Sequence, residues 1–369
     1  MVEAAEKRGY RGVQESIRNR ILKGEWRVGG KIPSERALEK QLRISRLTIS
    51  KGLAHLVAEG LLVRKRGKGT FVSEGLASAH TKSRWIKFIS PVGGSGRNPT
   101  RHGVMEGMYE ALAGDGFHVG IDFYKSAEEQ VGLLKRNGQE DLAGLVVWFT
   151  PEAENVAELL RLKAKQYPFV LVDSYPMDFE ADFAVTDNLE GSRLVVDYLA
   201  GLGHRRIAYV TRPVDRSSLR DRQTGFLQGL VTHGLPFDSS GIVTLRQTGL
   251  EASDEVGAAV DRLLERRPAP TAIFFSNDDL ALAAVGHLRG KGIQVPGDVS
   301  IVGYDNIDES EHGPVPLTTV MQDFFQMGKT AGEILSERLK GNSASRPLRV
   351  FLKPTLVIRA SVREVVNDQ

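Results

Sequence analysis

Hydrophobic residues in the first 58 positions of the chain recur at the spacing of amphipathic helices. Val13, Ile17 and Ile21 lie four residues apart, which places them on one face and predicts a first helix. Ser34 predicts the start of a second helix and Ser45 the start of a third, because a serine side chain caps free backbone amides. The residues expected to face inward on these two helices are Ala37, Leu38, Leu42, Ile49, Leu53, Leu56 and Val57.

A short β-hairpin is predicted directly after the third helix. The apolar runs Leu61–Val63 and Thr70–Val72 flank a basic segment that contains Gly67 and Gly69. Three helices followed by a hairpin are typical of a winged helix-turn-helix, an α+β unit that we place at residues 1–74. Residues 75–84 are mostly small or polar, and we interpret them as a linker.

From residue 85 onward, short apolar runs alternate with stretches long enough for crossover helices. Repeated β-α units with Val- and Ile-rich strands predict an α/β architecture of parallel sheets covered by helices on both faces. The number of units suits two lobes better than one within a domain at 85–369. Strands are predicted at 85–89, 119–123, 142–149, 169–173, 206–210, 271–275 and 299–303, and helices at 101–114, 152–166, 189–202, 218–233, 254–267 and 279–291.

Charge is distributed unevenly between the two predicted parts. Residues 1–84 carry 19 Lys and Arg against 8 Asp and Glu, whereas residues 85–369 carry 30 against 38. A basic head on an acidic body favours contact of the head alone with a polyanion, and the alternative is a solvated basic surface. The concentration of basic residues at one helix start and one hairpin tip favours the first interpretation.

Several classes of chemistry find no support in the sequence. The chain contains no cysteine, which excludes disulfides, thiolate metal ligands and a cysteine nucleophile, and which fits a reducing cytoplasm. It shows neither a secretion signal nor an apolar run of membrane-spanning length. Gly328-Lys329-Thr330 lacks the first glycine of a phosphate loop, since Asp323 stands at that place. We interpret His204 as a packed residue at a helix end, and we expect a cytoplasmic protein with no catalytic residue, metal, cofactor or membrane contact.

The third helix supplies the residues best suited to read DNA. In a helix-turn-helix the second helix of the pair enters the major groove with its N-terminal residues, and burial of the apolar face turns Arg46, Ser50 and Lys51 outward. Arg46 is the candidate for a base contact, because a guanidinium pairs bidentately with guanine O6 and N7. The candidates for phosphate contact are Arg36, Lys51, Arg66 and Lys68.

A set of spaced motifs runs through residues 10–72. It comprises Tyr10, Gly24, Gly29, Pro33-Ser34-Glu35-Arg36, Ser45-Arg46-x-Thr48, Leu56, Glu59-Gly60 and Gly67-x-Gly69-Thr70-Phe71-Val72. In this order the segment resembles the DNA-binding domain of the gluconate-repressor (GntR) family. The resemblance implies DNA contact by Arg36, Arg46, Thr48 and the wing tip around Gly67, and we count Ser34 and Ser50 among the candidates. The family usually has arginine two places after Thr48, so Ser50 weakens or removes one expected contact.

A second set of motifs runs through the body from residue 187. It comprises Asp187-Asn188-x-x-Gly191, Leu202–Ala208, Asp221-Arg222-x-x-Gly225-Phe226, Pro270–Phe274, Asn277-Asp278, Val295-Pro296-x-Asp298-Val299, Gly303–Asn306, Leu317–Val320 and Leu356–Arg359. These motifs resemble the effector domain of the lactose/galactose-repressor (LacI/GalR) family, which is itself similar to periplasmic sugar-binding proteins. The resemblance implies two lobes, about 85–186 with 323–350 and about 187–318 with 353–369. Three crossovers would join them, near 186–188, 318–322 and 351–354, with ligand held between the lobes.

Candidate effector-binding residues lie mainly at predicted strand ends, where open α/β sheets bind ligands. Sugar recognition needs planar polar side chains that donate to and accept from hydroxyls, together with an apolar wall. The candidates are Asp173, Arg222, Asn277, Asp305 and Gln322, with Phe324 as the wall. For Asp173 and Asp305 the alternative is a loop-capping role.

The sequence therefore predicts a ligand-responsive transcription regulator, most simply a repressor that binds a palindromic operator of double-stranded DNA as a homodimer. The combination of head and body most resembles arabinose-type repressors, so a pentose such as arabinose is the first candidate effector. A nucleoside, purine or sugar phosphate is the alternative ligand. An enzyme with a regulatory DNA-binding head is the alternative class, and the head argues against a pure ligand carrier. We expect an inducer that weakens DNA binding, with corepression as the alternative.

Overall fold

The computed structural model describes residues 10–22, 25–26, 29–58, 61–65, 67–73, 84–92, 99–246, 252–341 and 346–365. The chain divides into two compact units, residues 1–82 and 83–369. The expected linker at 75–84 lies outside the described residues except for Arg84. The motif residues Gly24, Glu59, Gly60 and Arg66 also lie outside them.

The N-terminal unit is built on helices α1 (Tyr10–Leu22), α2 (Glu35–Leu42) and α3 (Arg46–Ala58). The Ser34 hydroxyl accepts a hydrogen bond from the backbone N–H of Ala37 and so caps α2, as predicted. The apolar faces of the helices meet in one core, which also takes in residues from the strands that follow. Its buried members are Val13, Ile17, Ile32, Leu38, Ile49, Leu53, Leu56, Leu62 and Val72.

The predicted hairpin is confirmed as β1 (Leu62–Lys65) and β2 (Gly69–Val72), which pair antiparallel. Gly67 and Gly69 have φ angles of 72° and 114°. Glycine adopts this left-handed region without the steric cost that a Cβ would add, which explains both glycines of the tip. The unit is therefore a winged helix-turn-helix.

Lobe one of the C-terminal unit is a parallel sheet of six strands with helices on both faces. The strands are β3 (Trp85–Pro91), β4 (His118–Tyr124), β5 (Gly144–Trp148), β6 (Phe169–Val172), β7 (Phe183–Thr186) and β13 (Arg349–Leu352), in the order β13-β7-β6-β5-β3-β4. The helices are α4 (Pro99–Ala113), α5 (Ala127–Asn137), α6 (Ala153–Ala164) and α12 (Phe324–Leu339). Separate hydrophobic cores fill the two faces of the sheet, one against α4 and α12 and the other against α5 and α6.

Lobe two repeats this arrangement around a four-stranded parallel sheet. Its strands are β8 (Ile207–Thr211), β9 (Ile242–Thr244), β10 (Ala272–Phe275) and β11 (Ser300–Val302), in the order β11-β10-β8-β9. The helices are α7 (Asn188–Gly201), α8 (Ser217–Thr232), α9 (Ala252–Leu264), α10 (Asp278–Gly290) and α11 (Asp308–His312). A separate antiparallel pair is formed by β12 (Thr319–Met321) and β14 (Thr355–Val357).

The chain passes between the lobes three times. It leaves β7 for α7 at Asp187, leaves β12 for α12 at residues 322–323, and leaves β13 for β14 at residues 353–354. Because β13 pairs with β7 up to Leu352, the sheet of lobe one continues two residues past the expected boundary at 350. Each lobe is thus assembled from segments that are far apart in the sequence.

Helices α4 and α12 approach each other so closely that glycine is required between them. A Cβ on Gly328 would lie 1.9 Å from the carbonyl oxygen of Val104, and a Cβ on Gly107 would lie 2.0 Å from that of Phe325. These oxygens belong to the helix backbones and cannot move independently. The N-terminal end of α12 is therefore held firmly against α4.

We expect Gly328→Ala to lower the free energy of unfolding by about 1–3 kcal/mol, because an added methyl group forces the two helices apart. Urea denaturation followed by circular dichroism measures this change. Gly286→Ala is the matched control, since Gly286 lies within α10 where a Cβ meets no neighbour within 4 Å. That substitution should be neutral or stabilise the protein by about 0.5–1 kcal/mol. Equal effects of the two substitutions would contradict the close-approach account.

Candidate functional site

Arg46 is the first residue of α3, and its side chain is 61% exposed. Ser45 precedes it, with its hydroxyl oxygen 2.8 Å from Oγ1 of Thr48 and 3.4 Å from the backbone nitrogen of Thr48. Ser45 therefore caps α3, as the sequence predicted. The Thr48 hydroxyl is engaged within this cap.

Glu35 connects the start of α3 to the hairpin. Its Oε1 accepts a hydrogen bond of 2.9 Å from Nη2 of Arg64, and its Oε2 lies 3.7 Å from Nε of Arg46. One carboxylate on α2 thus holds a guanidinium from α3 and another from β1. Neither Glu35 nor Arg64 was predicted from the sequence as a functional residue, because the pairing joins positions that are 29 residues apart.

The other candidate DNA-contacting residues occupy three places on the same unit. Ser34 and Arg36 lie at the start of α2, Ser50 and Lys51 within α3, and Gly67 and Lys68 at the hairpin tip. All of them are exposed except Ser50, which is half-buried. Arg66 is outside the described residues.

Arg222 is the centre of a polar cluster in lobe two. It projects from α8 and is 2% exposed. Nε donates to Oδ1 of Asn188 at 2.8 Å, Nη1 donates to the carbonyl oxygen of Ser276 at 2.5 Å, and the guanidinium lies 3.8 Å from the centroid of the Tyr304 ring. These contacts fix the plane of the guanidinium, so that Nη2 faces Oδ1 of Asp305 at 3.2 Å.

Asp305 lies directly after Tyr304 at the end of β11, with φ at 117°, a value that residues with a Cβ rarely adopt. Besides the ion pair with Arg222, it accepts hydrogen bonds from Nδ2 of Asn277 at 2.8 Å and from Nε2 of Gln322 at 2.7 Å. Burial raises the pKa of Asp305 to about 7, although Arg222 opposes this shift. Backbone strain and a shifted carboxyl at one position are typical of functional sites.

The side-chain amide of Gln322 uses its nitrogen in a hydrogen bond and leaves its oxygen without one. Its nitrogen must face Asp305, because only the nitrogen can donate to a carboxylate. Oε1 is consequently turned away, is buried, and has no hydrogen-bond partner among the described residues. A buried acceptor without a donor is costly, so this oxygen is suited to receive a donor from a ligand.

Asp173 occupies the end of β6 in lobe one, is buried, and has φ at 70°. It accepts hydrogen bonds from the Ser174 hydroxyl, at 3.1 Å, and from the Trp148 side chain. Burial raises the pKa of Asp173, while the positive charges of Arg216 and Arg222 lower it. Asp173 thus interacts with the Arg222 cluster through charge. Within that cluster, Asp305 is in direct contact with each of the other three residues, Arg222, Asn277 and Gln322.

Phe324, the predicted wall, is the first residue of α12. Its ring stacks near Trp148, with centroids 6.2 Å apart and planes inclined by 24°. Trp148 is the last residue of β5 and was not among the predicted site residues. The signal in the sequence that could have identified it is its position at a strand end, like that of Asp173.

A set of hydroxyl contacts joins the two lobes beside Asp173. The Ser174 and Ser218 hydroxyl oxygens lie 2.9 Å apart, and the backbone N–H of Tyr175 donates to the Ser217 hydroxyl at 2.7 Å. The Tyr175 hydroxyl donates to Asp221 Oδ2 at 2.7 Å. We call these five residues the interlobe clasp. It ties the loop after β6 to the first turns of α8, the helix that carries Arg222.

Two other conspicuous polar residues have structural roles. His204 is buried between Oγ1 of Thr271, at 2.8 Å, and the carbonyl oxygen of Arg363, at 3.0 Å. This agrees with its interpretation as a packed residue. Asp278 accepts hydrogen bonds of 2.6 Å from the hydroxyls of Ser310 and Thr319, which joins α10 to α11 and β12.

The two parts of the chain define its class: a winged helix-turn-helix carried by a two-lobed, ligand-binding domain of the periplasmic-binding-protein type. Models of known families match both parts. Residues 9–72 match the bacterial regulatory proteins of the gntR family, and residues 196–362 match the periplasmic binding protein-like domain.

Known proteins of similar sequence are transcriptional repressors. The arabinose metabolism transcriptional repressor of Geobacillus stearothermophilus is 27% identical over 363 residues, which cover 96% of this chain and 98% of that protein. The HTH-type transcriptional repressor PurR of Aliivibrio fischeri is 35% identical over 241 residues, which cover 64% of this chain and 68% of that protein. A LacI family transcriptional regulator from Enterococcus faecium, solved with bound ribose, is 25% identical with a TM-score of 0.63, and the match covers 76% of this chain and 100% of that one.

The chain therefore belongs to the LacI-type family of bacterial transcriptional repressors, and it carries a head of the gntR family. It is a ligand-responsive repressor that binds operator DNA and a small-molecule effector. Within the described part of the chain, no helix has both the length and the apolar character that crossing a bilayer requires.

The pKa of Asp305 predicts a specific dependence of stability on pH. In the folded protein the carboxyl group of Asp305 keeps its proton up to about pH 7, whereas the usual pKa of an aspartate carboxyl group is 3.8. The folded state therefore binds more protons between these values, and its free energy of unfolding decreases as pH rises from 4 towards 7. Asp305→Asn removes this contribution, while the raised pKa values of Asp173 and Asp278 remain in both proteins.

Urea denaturation of the wild type and of Asp305→Asn between pH 4.5 and 8 measures this difference. The free energy of unfolding of the wild type, relative to that of the variant, should fall as pH rises to about 7 and should then become constant. Asp308→Asn removes an exposed carboxylate three residues away and serves as the control. Parallel curves for the wild type and Asp305→Asn would show that Asp305 ionises normally.

Proposed function

We propose that the protein represses transcription as a homodimer on a palindromic operator, and that a small sugar bound between its lobes weakens this binding. A pentose such as arabinose is the first candidate. The observation that carries the effector half of this proposal is the cluster of Arg222, Asn277, Asp305 and Gln322, with its free acceptor at Gln322 Oε1.

The cluster has the properties that recognition of a polyol requires. It offers fixed donors and acceptors within a small space, and the free oxygen of Gln322 matches a hydroxyl that donates. Phe324 and Trp148 supply apolar faces for the carbon side of a sugar ring. We accordingly assign effector binding to Asp173, Arg222, Asn277, Asp305, Gln322 and Phe324, and add Trp148.

The names of similar proteins support a pentose. The relative that matches nearly the whole chain is a repressor of arabinose metabolism, and the regulator from Enterococcus faecium holds ribose. Arabinose and ribose belong to the names of those two proteins. For this chain they make pentoses the first ligands to test, with nucleosides, purines and sugar phosphates next.

We assign residues 1–74 to DNA binding, 75–84 to the linker and 85–369 to effector binding. The proposed DNA-contacting residues are Ser34, Arg36, Arg46, Thr48, Ser50, Lys51, Arg66, Gly67 and Lys68. One head reads one half-site, and a two-fold dimer matches the symmetry of a palindrome, which supports the homodimer. We infer that the protein acts in the cytoplasm, by binding and without catalysis, as suits a chain whose relatives are transcription regulators.

Thermal unfolding in the presence of sugars tests the effector half. A ligand at one hundred times its Kd stabilises the folded state by about 2.7 kcal/mol, so L-arabinose should raise the Tm of the wild type clearly. Asp305→Asn should abolish the shift, because an amide cannot accept from Arg222, Asn277 and Gln322 together. Asp308→Asn should keep it. A shift caused only by nucleosides or sugar phosphates would replace the sugar, and a panel without any shift would remove the effector assignment.

Substitution of Arg46 tests the DNA half. A duplex selected by the wild type from a random pool serves as the operator, and fluorescence anisotropy measures the affinity. Arg46→Ala should cost about 1–3 kcal/mol of binding free energy and relax base preference at one position in each half-site. An equal loss on every sequence would instead make Arg46 a phosphate contact.

A further inference from the structure

Arg64 lies on the face of the hairpin that is turned towards the helices. Side chains alternate along a strand, and Leu62, two residues earlier on β1, is buried in the core of the N-terminal unit. The Arg64 side chain is nevertheless 47% exposed, because its guanidinium reaches past this core to Glu35. It therefore emerges beside α2 and α3 and away from the hairpin tip.

Glu35 brings Arg64 and Arg46 into one group of charges. The carboxylate is only 26% exposed and faces a guanidinium on each side, at 2.9 Å from Arg64 and 3.7 Å from Arg46. A carboxylate that accepts a hydrogen bond from a guanidinium restricts the directions in which the remaining N–H donors of that guanidinium point. The start of α3 thus presents two guanidiniums around one carboxylate. Arg64 is oriented by a hydrogen bond to Oε1, and Arg46, which belongs to the helix, lies within ion-pair distance of Oε2.

The position of a carboxylate here distinguishes between two uses of these arginines. A surface that only attracts phosphates gains nothing from a negative charge between its cations, because the carboxylate repels the phosphates. A surface that reads base edges does gain, since oriented donors discriminate between bases. Ser50, on the next turn of α3, offers only a hydroxyl, and Arg64 brings a second guanidinium to this surface from another element.

We propose that Arg64 of the wing strand reads a base edge together with Arg46, and that Glu35 is the positioning residue for both. The proposal rests on DNA binding by the N-terminal unit, as proposed above. It assigns to β1 a part in sequence discrimination, in addition to the contacts expected from the hairpin tip.

Full-length protein is tested on two duplexes, one selected by the wild type from a random pool and one of the same length and composition with shuffled sequence. The ratio of the two affinities is the specificity ratio. Arg64→Ala should lower this ratio roughly 5- to 100-fold, mainly through weaker binding to the selected duplex. Arg64→Lys keeps the charge and the strand but not the planar donors, and it should lower the ratio as well. Lys65→Ala, on the opposite face of β1, is the matched control and should weaken binding to both duplexes alike.

Glu35→Gln separates positioning from a merely structural role. It frees both guanidiniums and removes a negative charge, so affinity for the shuffled duplex should rise or stay constant while the specificity ratio falls. Damage to the fold would lower both affinities, and Glu39→Gln makes the same charge change four residues further along α2 as a control. An unchanged ratio in Arg64→Ala, or an equal loss on both duplexes, would overturn the proposal for Arg64. A wild type that does not distinguish the duplexes would instead remove the proposed function itself.

Discussion

The effector domain depends on one buried ion pair, between Arg222 and Asp305. A buried charge costs several kcal/mol unless it is paired and its remaining donors are satisfied. Arg222 meets this requirement with Asn188 at the start of α7, the Ser276 carbonyl after β10 and the ring of Tyr304. Asp305 extends the same network to the start of α10 and to the crossover after β12. Two strand ends, three helices and one crossover are thereby held in a single arrangement, at the place where we propose that the effector binds.

The N-terminal unit uses the same pair of functional groups under different conditions. Glu35 holds two arginines at its surface, where water screens the charges and a pair of this kind contributes about 0–1 kcal/mol. Such a pair orients the side chains and can still be rearranged when DNA approaches. The pair in lobe two is buried and connected on every side, so that it resists rearrangement. Burial thus decides whether a carboxylate and a guanidinium act as an adjustable contact or as a fixed framework.

Local patterns in the sequence predicted much of the fold. The caps at Ser34 and Ser45 and the hairpin around Gly67 follow from rules that operate over a few residues. The short strands β7, β9, β12, β13 and β14 were not predicted, because pairing with strands that are distant in the sequence defines them. Resemblance and the strand-end rule together selected the residues that meet at Asp305. The orientation of the Gln322 amide and the interlobe clasp were beyond such rules, because tertiary contacts between distant residues determine them.

The triple passage of the chain between the lobes has a consequence for the evolution of the molecule. Neither lobe can be exchanged by a single recombination event, because the segments of the two lobes alternate along the chain. The two compact units, by contrast, meet at one place in the sequence, near residue 82. Exchange at that one junction joins a complete DNA-binding unit to a complete effector domain. A head of one family joined to a body of another is the combination that such a topology permits.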